Sequence, residues 1–111
     1  MSETPFVSAA PIERQSILLA IHAERQRQDL KWGGPRHDDE HSRRDWIAFI
    51  VEQAADASTA VWPADYRIAM VKVAAVAVAA IESNDRRVAR ECEADKDYQA
   101  ARTKIQPAGA A

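Results

Sequence analysis

Eleven residues, KWGGPRHDDEH at positions 31–41, hold the densest set of chemically capable side chains in the sequence. His37 and His41 stand four apart, the separation at which two imidazoles on a helix face one way and share a transition-metal ion. A zinc site of that kind needs a third ligand, for which Asp38, Asp39 or a distant carboxylate would serve. The structural alternative is that an aspartate caps backbone N–H groups while the histidines bond to neighbouring helices. A second grouping is acidic. Glu52 and Asp56 are also four apart and offer the oxygen ligands that Mg²⁺ takes alongside water and substrate phosphates, although surface solvation explains such a row as well. Lys72 is the third feature, a lone charge inside AMVKVAAVAVAAIE. It either has a partner in the interior or lays its stem over apolar neighbours and sends its ammonium to water.

Composition excludes several classes. No P-loop, nucleophile elbow or Gly-rich dinucleotide fingerprint occurs in the 111 residues. The formal net charge of -2 supplies no overall positive field for nucleic acid or an anionic membrane, and the pairs Arg43–Arg44 and Arg86–Arg87 are short. Cys92 is the single cysteine, sits among charges, and makes neither an internal disulfide nor a convincing nucleophile. The start, MSETPFVSAA, lacks the basic region and apolar run of a secretory signal, so a cytoplasmic location is expected. The longest nearly apolar run, residues 68–81, contains Lys72 and falls short of the roughly 20 residues that cross a bilayer.

The elements that must position these groups read as helices. Pro11 opens the first, which runs to about Asp29 with Ile17, Leu18 and Ile21 as its apolar face. The same face continues into Glu24, Arg25 and Gln28, so the last two turns present polar groups where the first two present core. Gly33, Gly34 and Pro35 specify a turn, and Ser42 with Asp45 three residues on marks the start of a second helix near Arg43. Trp46, Phe49, Ile50, Ala54 and Ala57 then follow the spacing of a buried stripe, which Pro63 ends. A third helix spans about 64–83, with Met70, Val73, Ala77 and Ile81 expected in the core or at a subunit contact. SNDRR reads as a break before a fourth, polar helix at 87–104. The reading is an all-α bundle of about four helices, a single domain over residues 11–104 between an N-terminal tail at 1–10 and a C-terminal tail at 105–111. Because the third helix is apolar on most sides, a homo-oligomer, most simply a dimer, is expected.

ERQRQDLKWGGPRHDDEHSRRDW, followed by YRIAMVKVAAVAVAAIES, resembles a group of small phage and prophage proteins related to the MazG-like all-α nucleotide pyrophosphatases, over about residues 12–86. The resemblance implies a MazG-like bundle in dimers or tetramers, Mg²⁺ held by acidic helix motifs, and cleavage of nucleoside triphosphates to monophosphate and pyrophosphate. The first acidic motif falls on Glu52, Gln53 and Asp56, keeping two of its three carboxylates. The second falls on Ala69 and Lys72, where both are absent. A lysine there still contacts phosphate as a point charge.

Two functions compete on these residues. In the first, Glu24, Gln28, Lys31, Trp32, His37, Asp38, Asp39 and Lys72, with Glu52 and Asp56 toward a metal, form a polar pocket for a nucleotide or other phosphate-bearing ligand, and Trp32 stacks on the base. In the second, the chain is a phage-encoded protein-binding inhibitor of a host defence enzyme, of the anti-CRISPR kind. The charged fourth helix and the incomplete catalytic set support it.

Overall fold

Gly33 adopts a left-handed φ of 104° and returns its N–H to the Asp29 carbonyl at 2.9 Å, closing the first helix. In the computed structural model, which describes residues 10–91 and 100, this helix is α1 (Ile12–Trp32). Three more follow: α2 (Pro35–Asp38), α3 (Arg43–Ser58) and α4 (Pro63–Glu91). No strand occurs among the described residues. Ser42 caps α3 as its spacing indicates. Its hydroxyl accepts the Asp45 N–H at 3.2 Å, and the Asp45 carboxylate accepts the Ser42 N–H at 2.9 Å, a reciprocal capping box.

Helix α4 is the spine. α1, α2 and α3 each pack on it, while α1 and α3 scarcely meet, so a cleft opens between them with α4 as its floor. The core lies under α3: Trp46, Val76 and Ala79 are buried, with Phe49, Ile50 and Ala80 packed against them. Small side chains at Ala75 and Ala79 let the helices approach closely, as an alanine-rich α4 allows.

Two expectations are corrected. SNDRR does not break the chain, because α4 runs unbroken to Glu91. Ser83 and Arg86 are bonded to Asp39, and these tertiary bonds hold the helix through a stretch of weak intrinsic propensity. The buried stripes also run elsewhere within the chain: Met70 and Ile81, expected in the core or at a subunit contact, are 41% and 61% exposed and Val73 and Ala77 half-buried, so they are not its core, and Ala54 on α3 is exposed. In a helix apolar on most sides several stripes share the same period, and the buried one passes through Val76, Ala79 and Ser83. Cys92, most of the expected fourth helix and the two tails except Ala10 lie outside the described residues.

Gly34 sits at φ 69° and ψ -146°, a region almost confined to glycine, and an added Cβ there would meet no atom within 4 Å. The penalty of a side chain is therefore purely backbone strain. Gly34→Val is expected to lower stability by about 1–3 kcal/mol in denaturant unfolding, and a loss below about 0.5 kcal/mol would show that the turn does not require this angle.

Candidate functional site

Arg25 organises the interior polar groups. It occupies the face of α1 that Leu18 and Ile21 begin, and it is buried together with Gln28 one turn later. Its guanidinium donates to Glu82 of α4 through Nε at 3.2 Å and Nη2 at 2.9 Å, to Gln28 Oε1 at 3.0 Å, and to Asp38 Oδ2 of α2 at 3.4 Å. Asp29 Oδ1 approaches at 3.1 Å as a further ion pair. Burial alone would lower the arginine's pKa, but the Glu82 hydrogen bonds and the charges of Glu82, Asp29 and Asp38 outweigh it and raise the value.

Asp39 forms a second joint between α2 and α4. Arg86 grips its carboxylate with Nε at 3.1 Å and Nη2 at 2.9 Å, while Arg90 Nη1 at 3.1 Å and the Ser83 hydroxyl at 2.9 Å add further bonds. The Arg86 hydrogen bonds, with Ser83 and Arg90 adding to them against burial, hold the carboxyl at about 2 instead of 3.8.

These joints frame a cleft of about 330 Å³, at the lower end of the range for small-molecule sites. One wall is a chain of rings. Trp32 stacks on His37 with centroids 6.1 Å apart, His37 meets His41 edge-on at 4.9 Å, and His41 meets Phe49 at 5.0 Å and Trp46 at 5.6 Å. Arg25, Gln28 and Asp38 line it from the α1 and α2 side, Glu52 and Gln53 from α3, and Val76 and Ala79 form the floor. Trp46 Nε1 is buried with no hydrogen-bond partner.

Of the residues singled out in the sequence, Gln28, Trp32, His37, Asp38 and Glu52 come together in this cleft. Lys31 lies over the exposed face of its neighbour Trp32, 5.2 Å from the ring centroid. Glu24 stands beside the cleft, bonded to Arg27 and to Gln28 Nε2 at 3.3 Å, and the Arg27 hydrogen bond lowers its pKa. Lys72 is half-buried one turn before Val76 on α4, and its charge adds to the lowering of Glu24. Asp39 belongs to the arginine joint, and Asp56 is exposed one turn beyond Glu52. Neither lines the cleft. His41, singled out as a metal ligand, and Gln53, named on the acidic motif, also line the cleft, whereas Arg25, Trp46 and Phe49 were not expected there. The available signal was that Arg25 and Gln28 prolong an apolar face with polar groups. Among the described residues no set of three or more His, Cys, Asp or Glu side chains is arranged to hold a metal ion. No described helix is long and apolar enough to cross a membrane.

No family model, no curated protein and no solved structure matches this chain.

Because the folded chain holds Asp39 at about 2, below its ordinary 3.8, the joint stabilises fully above pH 4 and loses that contribution as the pH falls toward 2. Asp39→Asn is expected to cost about 2 kcal/mol in urea unfolding at pH 7, and the gap between variant and parent should close in acid. A gap independent of pH would show that the carboxylate charge is not what Arg86 and Arg90 hold.

Proposed function

We propose that the chain captures a nucleotide, base first, in the cleft between α1 and α3. The single observation that carries this reading is a wall of five rings facing amide and carboxylate groups in a volume of small-molecule size. A planar heterocycle gains stacking from Trp32 and its neighbours, while Gln28, Gln53 and Glu52 offer donors and acceptors to its edges. Arg25 is engaged by Glu82, Asp29 and Asp38, and Lys72, half-buried one turn before Val76 of the floor, is the cation this reading assigns to a phosphate. Mg²⁺ joins through Glu52, with Asp56 behind it and phosphate and water completing its shell. Capture suits these residues better than hydrolysis, since Ala69 and Lys72 occupy the places where the MazG-like pattern has its second pair of carboxylates.

Titration with nucleoside mono- and triphosphates, followed by tryptophan fluorescence and calorimetry, tests the reading. Trp32→Ala should weaken binding about tenfold or more, by loss of roughly 1–3 kcal/mol of stacking, while leaving the melting temperature nearly unchanged because Trp32 is 44% exposed. Absence of nucleotide binding by the parent protein would overturn it.

One observation supports a second, compatible role. On α3, Phe49, Glu52 and Gln53 line the cleft, while Ile47 and Val51 fall on the opposite flank and are 61% and 62% exposed. On α4, Glu82 and Arg86 face α1 and α2, and Tyr66, Met70, Val73, Ala77 and Ile81 make an uncharged stripe on the other flank. Such an uncharged, partly exposed face suits a second copy packed about a two-fold axis. Sedimentation should give twice the 12.3 kDa chain mass for the parent and a monomer for Ile81→Glu, with helicity retained since Ile81 is 61% exposed. A parent that stays monomeric would leave the face to a foreign protein, as an inhibitor of host defence would need.

A further inference from the structure

We propose that His37 and His41 form a two-histidine site for a transition-metal dication, with Zn²⁺ as the reference ion, on the aromatic wall of the cleft. The proposal concerns a different metal and different ligands from the acidic Mg²⁺ reading, and it holds whether or not a nucleotide binds.

The argument begins with the proton on each ring. His37 Nδ1 lies 3.1 Å from Asp38 Oδ1, and His41 Nδ1 lies 3.5 Å from Asp45 Oδ2. A carboxylate only accepts, so a hydrogen on each Nδ1 suits these contacts, and in that tautomer a neutral ring has its lone pair on Nε2. These two Nε2 atoms face one another at 3.4 Å. At that separation the two rings are bridged either by a proton, one Nε2–H donating to the other Nε2, or by a metal ion that binds both lone pairs.

The geometry suits a metal ion. Zinc–nitrogen bonds of about 2.0–2.1 Å at a tetrahedral angle place two ligand nitrogens about 3.3–3.4 Å apart. The ring centroids are 4.9 Å apart with planes inclined by 70°, so the nitrogens are nearer than the ring centres and the rings meet by their edges. Carboxylates on both Nδ1 atoms supply the outer support that orients metal-binding imidazoles and raises their basicity. Asp38 is fixed in turn by Arg25 at 3.4 Å, and Asp45 by the Ser42 capping box at 2.9 Å. Imidazole favours zinc, copper and nickel over magnesium. No group of three or more His, Cys, Asp or Glu side chains for a metal occurs among the described residues, and since both histidines line the cleft, the remaining coordination positions would fall to water or to an oxygen or nitrogen of its occupant.

Calorimetric titration of Zn²⁺ into the metal-free full chain, without nucleotide, tests the site, with Co²⁺ absorption as a report of coordination geometry. The expected result is about one ion per chain, an affinity lowered about tenfold or more in His37→Gln and in His41→Gln, and no change in His22→Gln, a histidine exposed on α1. Binding by the parent should weaken in mild acid as protons compete for the same lone pairs. Should either variant lose helicity by circular dichroism, nitrogen-15 spectra of the parent decide the matter: Zn²⁺ must shift Nε2 of both His37 and His41. No uptake at ion concentrations on the order of 100 μM, uptake indifferent to both substitutions, or unshifted Nε2 resonances would each overturn the proposal.

Discussion

The buried guanidinium of Arg25 is the constraint on which the rest of the structure depends. It is placed by α1, neutralised by Glu82 of α4, and bonded to Asp38 of α2, so one side chain ties three elements together. An arginine with a side chain only 10% exposed needs such partners, since an unpaired charge in the interior would cost several kcal/mol. The consequence reaches beyond stability. Asp38, once fixed by Arg25, holds His37, and the direction of His37 sets the ring chain that walls the cleft.

The cleft itself follows from where apolar contact is lacking. α1 and α3 both bury their inner faces on α4, and the residues between them are polar or aromatic with polar edges: Gln28, Asp38, His41, Gln53. Such groups do not close into a dry seam, and they leave a space whose mainly apolar lining carries hydrogen-bonding groups among its rings. The Asp39 joint with Arg86 and Arg90 then ties α2 to α4, so the short segment carrying both histidines is anchored by side chains although α2 is only four residues long. The proposed nucleotide capture and the proposed histidine metal site would use the same wall without competing for the same atoms, because stacking engages ring faces and a metal engages Nε2 edges.

Some of this was legible in the residues taken one after another. Ser42 and Asp45 announced the start of α3, and Gly33 and Gly34 announced the turn that their positive φ values of 104° and 69° require. The polar continuation of the α1 face marked Gln28 as a group turned inward. The extent of α4 was not legible, because SNDRR has weak helical propensity and the bonds that hold it come from Asp39, 44 residues from Ser83 along the chain. Nor was the division between Asp38 and Asp39, adjacent acids that look interchangeable until one is seen bound by Arg25 at the cleft and the other by Arg86 outside it.

The sequence by itself determined that the chain is helical, that a turn falls at Gly33 and Gly34, and where α3 begins. Local rules suffice for these, since capping, glycine conformation and helical period act over three or four residues. Only the tertiary structure decided which stripe of α4 is core and which is left at the surface, which aspartate faces the cleft, and that both histidines present Nε2 to one another. Those outcomes depend on partners roughly 13 to 60 positions away, such as Arg25 with Glu82 at a separation of 57 and Asp38 with Arg25 at 13. Long-range pairing of that kind is set by packing geometry, to which a one-dimensional pattern of apolar and charged residues is degenerate.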